Sequence, residues 1–239
     1  MPPPRRNTLI IKGFRGLCAG QFFAFTLAEV LITLAIIGII AAFTLPNLVQ
    51  NYRNHVVETR LKKVYSNMNQ AIVQSESESG AKELWDFNAP DFFFKYIEPY
   101  IKYVKTETID GGTYKYLCIY FPDGSLLISK LNNAGANQDY FFYPNAKNFN
   151  PQKIESRAMS GTAMFEFRFA PIPAKENEAH AGKGFEPYMH SLTLPIDESK
   201  LKNGTPYSCK QGNPNPIYCT ALIARNNWKI PKDYPFRVR

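Results

Sequence analysis

From Phe25 to Val49 the chain is apolar on every side, and Glu29 is the only charged residue in those 25 positions. About 20 apolar residues cross the hydrocarbon core of a bilayer as a helix. The run therefore predicts a membrane-spanning helix over about 25–48. Beyond it the pattern changes. Val57, Leu61, Val64, Met68 and then Ala71 or Ile72 recur at three- and four-residue spacing, with Tyr65 beside them. Arg53, Glu58, Arg60, Lys62 and Lys63 fall mostly on other faces, so this part reads as a helix with one apolar stripe. Ser75 to Gly80 ends the periodicity. A single helix over 25–79 would be roughly 80 Å long at 1.5 Å per residue. Pro46 lies inside it and removes one backbone donor, which predicts a kink or a stretch there. The stripe could pair with another protein as a coiled coil. An aromatic-rich sheet in the same chain is the favoured cover.

Strand patterns follow. Thr113–Phe121 is rich in β-formers, Pro122-Asp123-Gly124 supplies turn chemistry, and Ser125–Leu131 returns, which predicts a hairpin. In Thr162–Phe169, Phe165, Phe167 and Phe169 alternate with Met164, Glu166 and Arg168, so one face of a further strand is buried. Residues 82–108 read as loop and short helix, with Trp85, Phe92, Phe93, Phe94 and Tyr96 as packing residues. The stretch between the hairpin and the Phe-rich strand reads as a polar loop carrying aromatics. Residues 170–208, with Pro171, Pro173, Pro187 and Pro195, read as a surface excursion. No internal repeat is visible. The fold class is α+β: a long N-terminal helix, half membrane-spanning and half amphipathic, packed on a C-terminal antiparallel β-sheet head.

Charge sharpens the picture at one end. The net charge is +8, from 28 bases and 20 acids. Residues 1–24 hold Arg5, Arg6, Lys12 and Arg15 and no acid; without those four bases the rest carries +4. A basic leader ahead of an apolar helix places its N-terminus in the cytoplasm. The apolar run exceeds the roughly 7–15 residues of a secretory signal, and Ile40-Ala41-Ala42 matches its cleavage site poorly. An uncleaved signal anchor accounts for these features but leaves Glu29 without a role. A carboxylate at mid-membrane costs about 2.5–3.5 kcal/mol on insertion scales, less near a helix end, and such acids are usually paired.

The segment AFTLAEVLITLAIIGIIAAFTLPNL strongly resembles the N-terminus of type IV pilins and type II secretion pseudopilins. The resemblance implies a cut on the cytoplasmic side of the apolar segment by a prepilin peptidase, between Ala24 and Phe25, and N-methylation of Phe25. Phe25-Thr26-Leu27-Ala28-Glu29 matches the mature start, while Ala24 stands where the family usually has Gly. Gly38 and Pro46 fall where pilins carry a helix-weakening Gly and Pro. The resemblance gives Glu29 an assembly role: it pairs with the N-terminal amine of a neighbouring subunit, because two buried charges that cancel are tolerable and one alone is not. Pairing with its own amine, four residues away on one helix face, is the alternative.

Four cysteines are present. Cys18 lies in the leader. Cys118, in a predicted strand, reads as a buried free thiol. Cys209 and Cys219 flank a Gly/Pro/Asn-rich loop that an oxidising compartment would close as a disulfide, stabilising the fold by about 2–3 kcal/mol in the chain-entropy model. Two unpaired thiols or a metal pair are the alternatives, and His180 and His190 show no spacing to complete a metal set. Many pilins close a C-terminal loop this way. The ending YCTALIARNNWKIPKDYPF also resembles the tail of certain bacterial pilin-like proteins ending in a GWKIP-type motif, with Asn227 in place of Gly.

No phosphate loop, HExxH or GxSxG motif occurs, and His55, His180 and His190 are scattered. Asp110, Asp123, Asp139 and Asp197 could offer oxygens to calcium, but isolated loop acids more often serve turns. Asn203-Gly204-Thr205 fits a glycosylation acceptor, with a plain turn as the favoured reading. Lys102, Tyr103, Lys105, Tyr114, Lys115 and Tyr116 hint at nucleic acid, and a strand with a solvated face explains them equally well.

The expected organisation is a leader over 1–24, a helix over 25–79 and an extracytoplasmic head over 80–239. The expected function is a prepilin-like subunit, not an enzyme and without cofactor or bound metal. It sits in a bacterial inner membrane by a single pass and assembles into a type II secretion pseudopilus or a type IV pilus. Small residues at Ala35, Gly38, Ala41 and Ala42 let apolar helices approach closely. Its partners are copies of itself or related pilins, prepilin peptidase, membrane lipid and, by family only, an inner-membrane platform protein and an assembly ATPase; nucleic acid is disfavoured. The rival is an uncleaved, membrane-anchored periplasmic binding protein or enzyme.

Overall fold

The computed structural model describes residues 25–131, 138–154, 156–173, 179, 181–190, 192 and 195–239. The leader, including Ala24 and Cys18, and His180 lie outside the described residues. The chain divides into two compact units, one ending at Leu45 and the other running from Pro46 to Arg239.

Helix α1 spans Leu27–Ser79 and carries Pro46 inside it. Its first stretch, the whole described part of the first unit, is exposed at nearly every position. Leu31, Ile37 and Phe43 are 58%, 62% and 76% exposed. The helix is long and apolar enough to cross a membrane. From Val57 onward the same helix buries Val57, Leu61, Val64, Met68, Ala71, Ile72 and Ser75. This is the stripe that the periodicity predicts. Gly80 ends the helix at φ 79°, the left-handed C-terminal position that lacks a Cβ penalty, and its N–H donates to Glu76 O at 3.1 Å.

The second unit is built on a six-stranded antiparallel meander: β1 (Lys105–Asp110), β2 (Lys115–Tyr120), β3 (Leu126–Leu131), β4 (Gln138–Tyr143), β5 (Phe165–Ala170) and β6 (Gly184–Pro187), neighbours in sequence order. The β2–β3 hairpin turns through Pro122-Asp123-Gly124. Gly124 has φ 79°, and its N–H donates to Phe121 O at 3.0 Å. One sheet face presents Leu117, Ile119, Leu127, Tyr140, Phe142, Phe165, Phe167, Phe169 and Phe185 to the buried stripe of α1. The other face buries Tyr116, Cys118, Leu126, Ile128, Phe141 and Tyr143 beneath Ile154 and Met164.

Three strands replace stretches read as loop. β1 is mostly polar and exposed, with only Thr106 and Ile109 half-buried, as an edge strand tolerates, so no alternation marks it. β4 is covered on both faces, so Tyr140-Phe141-Phe142-Tyr143 shows a continuous run rather than a period of two. β6 has only four residues and ends in a proline. The expected surface excursion over 170–208 is also corrected in part. Met189, Leu192 and Leu201 are buried in a second small core with Cys209, Tyr218, Cys219 and Leu222. Short α-helices α2 (Phe92–Tyr96), α3 (Glu198–Lys202) and α4 (Cys219–Arg225) and four single 3-10 turns complete the described elements.

Helix α1 also seals one sheet edge. The Asn69 carboxamide donates to Phe185 O at 2.8 Å and accepts from Phe185 N–H at 3.3 Å, filling the backbone ladder positions that β6 would otherwise leave open. The C-terminal segment clasps the same helix. Glu58 accepts from Ile230 N–H at 2.9 Å and from Lys229 Nζ at 2.8 Å, and Trp228 lies 4.9 Å from the Tyr65 ring. Asn227 and Trp228 both have left-handed φ, 54° and 61°. That conformation accounts for a Gly-like requirement at 227, which Asn meets better than most side chains.

Candidate functional site

The residues singled out by sequence are divided between the two units. Glu29 and Gly38 belong to the first unit, and Pro46, Cys209 and Cys219 to the second. Phe25 is 82% exposed.

Glu29 has a local role that the sequence reading overlooked. One carboxylate oxygen accepts from Thr26 N–H at 2.8 Å and from Thr26 Oγ1 at 3.0 Å, while Glu29 N–H donates to Thr26 Oγ1 at 3.2 Å. This reciprocal arrangement is a capping box, with Thr26 as N-cap and Glu29 three residues on. Its signal was present as Thr26-Leu27-Ala28-Glu29, a Thr-x-x-Glu ahead of an apolar run. Gly38 leaves open space: a Cβ there meets no atom within 4 Å. Among the described residues nothing requires its missing side chain.

Cys209 and Cys219 form a disulfide with Cα atoms 4.7 Å apart. Gly161 sits against it, at φ 72°, where an added Cβ would come within 2.6 Å of Cys219 Sγ. Cys118 is a buried free thiol, and burial pushes its pKa up to about 12.

The four aspartates are occupied locally. Asp110 accepts from Gly112 N–H, Asp123 from Ser125 and Lys63, Asp139 from Arg168, and Asp197 caps α3 through Ser199. Among the described residues no three His, Cys, Asp or Glu side chains gather to hold a metal. In Asn203-Gly204-Thr205, Gly204 turns at φ 86° and Thr205 Oγ1 lies 3.0 Å from Ser208 Oγ. The basic and aromatic stretch is interleaved with acids: Lys105 lies over Tyr120 and pairs with Glu107, and Tyr103 donates to Glu98.

A buried charge cluster went unseen in the sequence. Glu166, 2% exposed on β5, accepts from Ser160 Oγ at 2.7 Å and faces Arg157 Nε at 3.4 Å. Its backbone N–H donates to Thr220 Oγ1 of α4 at 2.9 Å, so it ties β5 to α4 and to the loop before the strand. Burial pushes its carboxyl up to about 7, against the pull of Arg157 and the Ser160 hydrogen bond. Arg157 in turn stacks over Phe141 at 4.2 Å. Alternation gave Glu166 the face opposite the phenylalanines; only the fold shows that face to be covered.

A groove along the start of the second unit, about 590 Å³ in volume, is lined by residues that include Val49, Tyr52, Arg53, Arg60, Asn148 and Arg239. Arg60 donates to the carbonyls of Pro144 and Asp123, which fixes its guanidinium as a wall of this groove.

The chain matches no curated protein and no solved structure. A family model described as "Family of unknown function (DUF6613)" matches residues 47–238, nearly the whole second unit and none of the first. An exposed apolar helix bearing a capping-box glutamate thus precedes a domain of defined family, and the chain belongs to the DUF6613 family of unknown function.

Proposed function

We propose that the chain is a pilin-like or pseudopilin subunit, cut between Ala24 and Phe25 by a prepilin peptidase, methylated at Phe25 and assembled into a type II secretion pseudopilus or type IV pilus. One observation carries the reading: the contrast in cover along α1. Its second half is clad by the chain's own sheet, whereas its first half presents apolar side chains all round and a lone carboxylate at Glu29. Such a surface is costly in water and suits a bilayer or a bundle of like helices. Gly38 fits that use, since its open backbone lets a second helix approach closely. Glu29 keeps its capping hydrogen bonds in the isolated chain. A carboxylate accepts more than one partner, so it can also take the amine of an adjoining subunit.

The test is N-terminal sequencing of the protein extracted from membranes. A methylated Phe25 at the mature terminus supports the subunit. An intact 24-residue leader overturns it in favour of an uncleaved anchor carrying a periplasmic binding protein or enzyme.

A further inference from the structure

The groove at the start of the second unit has the composition of an anion site beside a membrane. Arg53, Arg60 and Arg239 line it, and among the described residues no Asp or Glu side chain does. Arg53 and Tyr52 are exposed, and among the described residues no hydrogen bond or ion pair engages the Arg53 guanidinium. A second, independent feature points to a ligand: Asn148 Nδ2 is buried at the groove without any acceptor among the described residues. An unmet buried donor is unfavourable, so an oxygen ligand there recovers that loss. The groove also has an apolar wall. Val49, 45% exposed, is the first residue past the predicted span. Arg53 follows the span's end by about 7.5 Å of helix rise, which is the depth of lipid phosphates outside the hydrocarbon core.

We propose that this groove seats an anionic phospholipid of the extracytoplasmic leaflet, its phosphate held by Arg53, Arg239 and the Asn148 amide and an acyl chain lying along Val49. Guanidinium groups meet phosphate oxygens with two parallel donors, and Tyr52 is the aromatic type that settles at a membrane interface. Arg60 is already held by two carbonyls and shapes the far wall without having to move. The inference rests on the membrane-anchored part of the proposed function and not on cleavage or assembly. Lipid retention and the mature N-terminus are therefore separate readouts, and either can fail alone.

The experiment is native mass spectrometry of the full chain, purified in detergent and titrated with phosphatidylglycerol or phosphatidylcholine. The wild type should retain one phosphatidylglycerol and discriminate against phosphatidylcholine. The double variant Arg53→Gln/Arg239→Gln should weaken retention by about thirtyfold, from about 1 kcal/mol per cation. Asn148→Leu should weaken it less, and an unchanged thermal unfolding midpoint shows that each variant is folded. Equal retention of the two lipids, or equal retention by wild type and double variant, overturns the proposal. Displacement of the lipid by millimolar inorganic phosphate overturns the lipid as source and leaves a free-phosphate site. A dimer that binds no lipid and that the same substitutions dissolve makes a second copy the occupant, and also overturns it.

Discussion

The two halves of α1 are one helix with opposite solutions to the same problem. Leu61, in the second half, is fully buried, while Leu34, in the first, is 61% exposed. The second half keeps polar residues on one side and buries a stripe against the sheet; the first half has no polar side to keep. Most helical stability in proteins comes from packing an apolar face. The second half obtains that packing inside the chain. The first half finds no such packing among the described residues; under the proposed function it obtains it from lipid or from other helices, where its small residues and its single acid would act.

The contrast can be broken or sharpened in four ways, the largest effect first. Leu61→Ala should destabilise the second unit by about 2–5 kcal/mol in chemical denaturation, while Leu34→Ala leaves that transition unchanged. Equal effects would erase the distinction between the halves. The second concerns a proton on the sheet face turned away from α1, where Arg157, Ser160 and Thr220 cover Glu166. Glu166 titrates near 7 when folded, above its ordinary 4.5, so the folded state holds that proton more tightly. The associated stability is complete below about pH 4.5 and is lost as pH rises through about 7. Glu186, also raised by burial, adds the same sign. Glu166→Gln should therefore flatten stability against pH and recover up to about 3 kcal/mol at pH 8. A pH profile unchanged by the substitution would show that Glu166 is not its source. Third, reducing the Cys209–Cys219 disulfide should cost about 2–3 kcal/mol in the second unit, read as a lower denaturation midpoint. Smallest, Asn227→Gly should raise stability by up to about 1 kcal/mol, since Gly reaches left-handed φ without the Cβ penalty.

The stripe from Val57 to Ile72 was legible because burial on one side of a helix writes a three-to-four-residue period into the sequence. The β2–β3 hairpin was legible through its Pro-Asp-Gly turn. β4 was not, because a strand covered on both faces has no alternation to read. β1 was not, because an edge strand whose one apolar residue is Ile109 has no alternation to read and resembles loop. Glu166 shows the same limit at a site: its place on the face away from the phenylalanines followed from alternation, but the cover over that face comes from Arg157 and Ser160 and from Thr220, 54 residues downstream of the glutamate. The Glu29 capping box was written locally and was overlooked because the family resemblance supplied another role for the same carboxylate. Asn69, which completes the β6 edge across 116 residues, left no local signal at all.

That double role of Glu29 supplies the most direct measurement. Glutamine at the same position still caps a helix, because the capping box accepts Glu or Gln, but it carries no charge. Cells expressing Glu29→Gln should insert the chain in the membrane at wild-type levels and incorporate it into filaments at least about tenfold less, since the docking amine would lack its counter-charge in lipid. Incorporation of Glu29→Gln at wild-type levels would contradict the charge-paired assembly and leave Glu29 as a helix cap alone.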